Sequence, residues 1–206
     1  MKWLVSIVGA LLLCGAAMAQ ESAPEQLIRS VTNEVLEIVR KDKDIQTGNT
    51  KKAIELVEAK VLPYFDFNHM TRLALARDWR QASPRQQNTL ADEFRTLLVR
   101  TYSKALSEYK NQTVEFRPFK MQPGETDVKV RTQIEQAGAK SIGLDYYLEK
   151  QANGWKVYDI EVGGVSLITN YRGEFSTQVR EGGIDGLIAA LKAKNKGSEG
   201  TAASKK

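Results

Sequence analysis

The sequence predicts an α+β domain in which helices pack around one antiparallel sheet of four strands. Two observations carry that reading. Apolar residues recur with a period near 3.6 up to about Tyr109 and again after Gly164, whereas between Val114 and Val162 they alternate with a period of two. Short turn-forming clusters, Gln122-Pro123-Gly124, Gln136-Ala137-Gly138 and Asn153-Gly154, divide the alternating stretch, and such short connections favour antiparallel hairpins in sequence order.

The helical part opens with residues 22–43, where Leu27, Val31, Val35 and Ile38 form one stripe. A second helix is expected with Thr50 as its cap and Ile54, Val57 and Val61 on its apolar face, ended by Pro63. A short third helix follows Asp66 and carries Met70, Leu73 and Ala76. The clearest start signal is Ser83-Pro84-Arg85-Gln86: serine caps, proline sits where its missing N–H has no partner, and glutamine completes a capping box. The helix beyond it, reaching Tyr109, has Leu90, Phe94, Leu97, Leu98, Tyr102, Ala105 and Leu106 on one face and is expected to be the spine of the domain.

Strands are expected over 114–119, 127–134, 142–150 and 155–162. In the second, Val128, Val130, Thr132 and Ile134 alternate with Asp127, Lys129, Arg131 and Gln133, so one face of the sheet is apolar and the other wet. After Gly163-Gly164 a helix is expected with Val165, Ile168, Tyr171, Phe175 and Val179 in one stripe, broken at Gly182-Gly183 before a short last helix through Ile184, Leu187, Ile188 and Leu191.

The two ends are of a different kind. Lys2, the apolar run from Leu4 to Cys14 and the small residues of Ala17-Met18-Ala19 read as a secretory signal peptide over residues 1–19, cleaved after Ala19. The run is shorter than the roughly twenty apolar residues of a membrane span. Leu13 stands where a lipoprotein signal needs a small residue, so Cys14, the sole cysteine, is read as an ordinary member of the apolar run. Residues 20–195 form one domain, and the basic stretch 196–206, rich in lysine, glycine, serine and alanine, is expected to be disordered.

Composition narrows the chemistry. A mature chain without cysteine has no thiol chemistry, and a single histidine, His69, cannot build a multi-histidine metal site. No Gly-x-Ser-x-Gly nucleophile motif and no glycine-rich phosphate loop occurs, and Gly163-Gly164-Val165-Ser166 reads as a tight strand-to-helix turn. Asp66 stands three residues before His69 and is equally well explained as a helix cap. Asp145 and Asp159 are either polar-face partners of their apolar neighbours or, if inward-facing, a general base of the kind small isomerases use. The net charge of +5 suits anionic surfaces or acidic partners, and nucleic acid is excluded by export and by the interleaving of acids with bases. The spine helix and the sheet both present apolar residues, and periodicity alone leaves open whether a gap lies between them.

Several segments resemble the MlaC, or toluene-tolerance, family: Val61-Leu62-Pro63-Tyr64-Phe65-Asp66-Phe67; Ala82-Ser83-Pro84-Arg85-Gln86-Gln87 leading to Phe94-Arg95 and Thr101-Tyr102; Trp155-Lys156-Val157-Tyr158-Asp159-Ile160; Gly164-Val165-Ser166-Leu167-Ile168; and Gly183-Ile184-Asp185-Gly186-Leu187. They occur in order between about residues 24 and 195. The resemblance implies a strongly curved sheet enclosing an apolar lipid cavity, and a monomeric periplasmic protein that carries phospholipid between an outer-membrane lipoprotein–porin complex and an inner-membrane ABC transporter complex to maintain outer-membrane lipid asymmetry. It implies no catalysis, no metal and no cofactor other than the phospholipid cargo. Carried over by position, Tyr102, Ile142 and Val165 are the lipid-binding residues, and periodicity adds Leu98, Leu106, Leu144, Tyr146 and Ile168. The competing readings are a small isomerase-like or hydrolytic enzyme with a buried carboxylate, and a periplasmic adaptor or chaperone without ligand.

Overall fold

The computed structural model describes residues 23–109 and 111–203; the expected signal peptide lies outside them. Among the described residues there are six α-helices and one sheet, with the strands between the fifth and sixth helices. Helix α1 (Ala23–Lys41) buries Ile28, Val35 and Val39 and ends on Arg40 and Lys41, whose charge suits the negative end of the helix dipole. An unanticipated single turn, α2 (Lys43–Gln46), forms because the Asp42 carboxylate accepts from the N–H groups of Asp44 at 2.9 Å and Ile45 at 3.2 Å, which lets Ile45 be buried. Helix α3 (Thr50–Lys60) is capped by Asn49, one residue earlier than expected, and its buried positions are Ala53 and Leu56.

Asp66 caps α4 (Phe67–Leu75), accepting from the His69 N–H at 2.8 Å. The capping box of α5 (Pro84–Ser107) forms as expected: the Ser83 N–H donates to Gln86 Oε1 at 2.9 Å while Ser83 Oγ accepts from the Gln86 N–H. Leu90, Phe94, Leu97 and Leu98 of this helix are buried, and Phe94 meets Tyr171 and Phe175 edge-on at 5.2 and 5.0 Å.

The sheet has five strands, not the expected four: β1 (Thr113–Phe116), β2 (Asp127–Glu135), β3 (Ile142–Gln151), β4 (Gly154–Val162) and β5 (Val165–Ser166), an antiparallel meander in sequence order. The fifth arises because Gly163 and Gly164 both take positive φ, 58° and 87°, a conformation open to glycine, and so turn the chain tightly enough for Val165 to pair with Val162. Val165 therefore belongs to a strand rather than to the start of the helix. The Gly163 N–H also donates to the Gly143 carbonyl at 2.8 Å, which fixes this corner against β3. A bulge between β3 and β4, at Tyr147/Leu148, bends the sheet locally.

Helix α6 (Leu167–Ala203) is broken at Gly183 (φ 65°, ψ −169°). Its two arms fold back on each other, since Lys194 Nζ lies 3.0 Å from Glu174 Oε1, whereas twenty residues of straight helix would separate them by about 30 Å. The helix runs past residue 195 to Ala203. Polar contacts hold the second arm at Asn195, whose Nδ2 donates to the Glu93 carbonyl at 3.0 Å and to Glu93 Oε2 at 2.8 Å, and whose carbonyl accepts from Arg100.

Three apolar clusters result. One joins α4, α5 and α6 with Ile160 and Val162 of β4. A second joins Ile28 of α1 to Val128, Val130, Leu148 and Val157 of the sheet. The third lies among α1, α2 and α3 with Leu106 and Tyr109 against it.

Candidate functional site

The strand registers place Val114, Val130, Thr132, Ile134, Ile142, Leu144, Tyr146, Leu148, Ile160, Val162 and Val165 on one inner face of the sheet, because directly paired residues point the same way. Burial along that face is graded. On β3 it runs from Leu148, fully buried, through half-buried Tyr146 and Leu144 to Ile142, 47 % exposed. On β4 and β5 it runs from buried Val157 through half-buried Ile160 and Val162 to Val165, 56 % exposed. One end of the face is sealed by Leu27 and Ile28 of α1 with Phe65, Phe116 and Trp155. The other end is open.

Helix α5 packs against α3, α4 and α6, and no strand is among its main neighbours. The half-buried Val114, Ile134 and Leu144 accordingly join none of the three apolar clusters. From the α5 side comes Tyr102, 38 % exposed, its phenol pKa raised by partial burial and by the neighbouring Tyr171 hydroxyl of α6. Burial pushes the Tyr146 phenol up to about 12. Tyr146 is half-buried and packs against the cluster of Ile28, Val128, Val130, Leu148 and Val157.

The eight residues singled out from the sequence divide into three groups. Ile142, Leu144, Tyr146 and Val165 share the inner face, and Tyr102 comes from the helical side. Leu98 and Ile168 are built into the α4–α5–α6 core. Leu106 leans instead on the α1–α3 cluster, because one face of α5 is divided between two neighbours. Ile134, Val162 and Val114 belong with the first group and were not singled out; their period-two positions were the available signal.

An enclosed apolar cavity is not what the principal grooves are. Both are open and polar: one, lined by Asp66, His69, Arg72, Glu149 and Gln151 among others, and a second, beside Lys120, Asp127 and Arg131, lie away from the open end of the inner face. His69 is held in the first, with Nδ1 2.9 Å from Glu149 Oε2 and its ring stacked on Tyr158 at 4.7 Å.

Neither candidate carboxylate is placed as a general base. Asp159 is buried and occupied, accepting from Ser166 Oγ at 2.6 Å and from the N–H groups of Ile160 at 2.8 Å and Ile168 at 3.3 Å. Asp145 projects from the opposite face of β3 and pairs with Lys129 at 2.8 Å. That bond, foremost, raises the Lys129 pKa, while the Tyr147 hydroxyl and Lys129 together lower that of Glu161. Among the described residues no three potential metal ligands converge, and no helix is long and apolar enough to cross a membrane.

The family model for the MlaC protein matches residues 29–193. The chain belongs to the MlaC family. Its MlaC match takes in every element from within α1 to the second arm of α6. The chain is 24 % identical over 196 residues to the intermembrane phospholipid transport system binding protein MlaC of Haemophilus influenzae, covering 92 % of this chain and 91 % of that one. It is 23 % identical over 163 residues to the toluene tolerance protein ttg2D of Pseudomonas putida, covering 79 % and 75 %. The fold matches that of a phospholipid-binding protein from Ralstonia solanacearum solved in complex with a phospholipid, with a TM-score of 0.80, 37 % identity, and coverage of 86 % of this chain and 99 % of that one.

Proposed function

We propose that this protein is a periplasmic carrier that takes up one glycerophospholipid between α5 and the inner face of the sheet and passes it between an outer-membrane lipoprotein–porin complex and an inner-membrane ABC transporter complex. The observation that carries the reading is the exposure of Ile142 and Val165 at the open end of a largely apolar sheet face, with Tyr102 exposed on α5. Only one other large apolar side chain among the described residues, Met121, is as exposed. A folded chain leaves such surface uncovered where something else covers it. The phospholipid-bound relative and the intermembrane transport relative supply the class of ligand.

The physical chemistry suits that cargo. Each methylene kept from water contributes roughly 0.8 kcal/mol, so a two-chain lipid needs on the order of 20 kcal/mol of shielding to cross an aqueous space. Apolar strands and the α5 wall supply it, while the headgroup stays at the mouth in water. Recognition therefore rests on the chains, and headgroups of several kinds are accepted. Release demands that carrier and membrane compete nearly evenly, so docking to a partner complex tips the balance.

An enzyme reading lacks its base, since Asp159 is a helix cap and Asp145 an outer-face ion pair. The test is the organic extract of the protein purified from its own periplasm. Glycerophospholipid at near one per chain is the expected result, and apo protein by native mass spectrometry, under conditions that retain lipid in a known carrier, would overturn it.

A further inference from the structure

We infer that the open groove between α4, the start of α5 and the closed end of β3 is a docking site for an acidic peptide segment of a partner protein, with Arg72 as its anchor. The inference rests on the carrier reading and deepens it, since it supplies a hold on the protein away from the lipid mouth. Gln151 lines the groove and ends β3, the strand that begins with exposed Ile142 at the open end, so a partner seated there leaves the mouth uncovered.

The groove holds about 450 Å³, in the range of ligand sites. Its two acids are spent within the fold. Asp66 accepts from the His69 N–H and, at 2.6 Å, from Gln151 Nε2, while Glu149 faces His69 Nδ1 at 2.9 Å. Asn68, Arg72 and Asn88 also line the groove, are exposed, and have no side-chain partner among the described residues. An unpaired guanidinium presents a fixed fork of donors that matches a carboxylate in two bonds, and the two amides add donors of their own.

The surrounding charge has the same sign. From Arg72 to Arg85 the chain carries Arg72, Arg77, Arg80 and Arg85, all exposed, against a single acid, Asp78. Asp78 is buried and accepts from Gln81 Nε2 at 2.8 Å. Such an edge draws in acidic segments and speeds their docking. The connection is also held in place: Gln87 Nε2 donates to the Trp79 and Ala82 carbonyls, both at 3.2 Å. Ala76 takes φ 51° and ψ −120°, a conformation that a residue with a side chain keeps only where its surroundings impose it. A bilayer fits this surface less well. Among the described residues the exposed large apolar side chains are Tyr102, Met121, Ile142 and Val165, and none of them lines the groove, so nothing there inserts into lipid.

The experiment titrates the full mature chain, as purified with its lipid, into a fluorescently labelled glycine and serine peptide carrying several glutamates, with a lysine counterpart as control, and reads anisotropy. Phosphatidylglycerol vesicles are tested beside it by co-sedimentation. The glutamate peptide is expected to bind, the lysine peptide not, and the affinity to fall as salt rises. Arg72→Glu is expected to weaken binding by more than about tenfold, and Arg72→Gln by less, with lipid per chain unchanged. Lys51→Glu, a reversal of an exposed charge on α3 outside the groove, is expected to change it by no more than about twofold. The docking site is overturned if wild type binds vesicles but not the peptide, or neither. It is equally overturned if Arg72→Glu, folded by circular dichroism, binds as wild type does, or loses no more than Lys51→Glu loses. Each of these results leaves the carrier reading standing, whereas a wild type that holds no phospholipid overturns that reading whatever the peptide does.

Discussion

The Asp159 carboxylate and the Ser166 hydroxyl meet at 2.6 Å, and that contact turns the sheet into the last helix. The other Asp159 oxygen accepts from the first turn of α6 at the Ile168 N–H, while Ser166 Oγ accepts from the Thr169 N–H at 3.1 Å. Between the two acceptors the chain runs through the end of β4, the Gly163-Gly164 turn and Val165, so Val165 is held at the rim.

Asp159→Ala removes the partner of the Ser166 hydroxyl and of a buried N–H at once. It is expected to cost about 1–3 kcal/mol in a urea titration, with Asp159→Asn, which keeps an acceptor, costing less. Equal losses for the two substitutions would show that the carboxylate does not act as a cap.

Val165→Glu and Ile142→Asp place a charge where acyl chains are proposed to lie. Both positions are exposed in the free protein, so the fold is expected to survive, as read by circular dichroism. Bound lipid per chain is expected to fall by more than about tenfold, since an unpaired charge facing hydrocarbon costs several kcal/mol. Folded variants that retain the wild-type lipid ratio would remove these two residues from the site.

The outer face makes a pH prediction. Lys129 lies 2.8 Å from Asp145 and 3.2 Å from Glu161, and the Tyr147 hydroxyl donates to Glu161 at 2.8 Å. The Glu161 pKa is lowered on folding, first by Tyr147 and then by Lys129. Its contribution is therefore complete above the unfolded value of about 4.3 and is lost as pH falls through the lower folded value. Lys129, raised chiefly by Asp145, contributes fully below about 10.4 and loses that contribution as pH rises through its folded value. Glu161→Gln is expected to lower stability at neutral pH by up to about 1 kcal/mol, because these groups are only partly buried, and to flatten the acid limb. Urea melts across the acid range read the slope; an unchanged acid limb would remove Glu161 from the network.

Asn195 joins the second arm of α6 to α5 through Glu93. Asn195→Ala is expected to cost about 1–3 kcal/mol, a measurable drop in melting temperature, while leaving the lipid content unchanged. A melting temperature equal to that of wild type would mean that these bonds add nothing to the packing of Leu187 and Leu191.

Much of this fold is legible from local chemistry. Ser83 to Gln86 contains its own capping box, Asp66 its own cap, and the alternation from Asp127 to Ile134 its own wet and dry faces. Less legible are features whose partners lie far away in sequence. The second arm of α6 is held at Asn195 by Glu93 and Arg100, about a hundred residues earlier. The fifth strand is two residues long, too short for any period to register, and exists because two glycines with positive φ bring Val165 back to Val162.

By itself the sequence determined which residues are apolar and, through their period, which side of each helix or strand they occupy, because side-chain direction follows from backbone geometry alone. It also determined the order of the elements and, through its motifs, membership of the MlaC family. Only the tertiary structure decided which apolar faces meet. Leu98 and Ile168 found partners and became core, whereas Ile142 and Val165 were left exposed because α5 spends its contacts on α3, α4 and α6. A period specifies a face but not its partner, and whether two apolar faces close on each other or stand apart depends on the packing of every element between them.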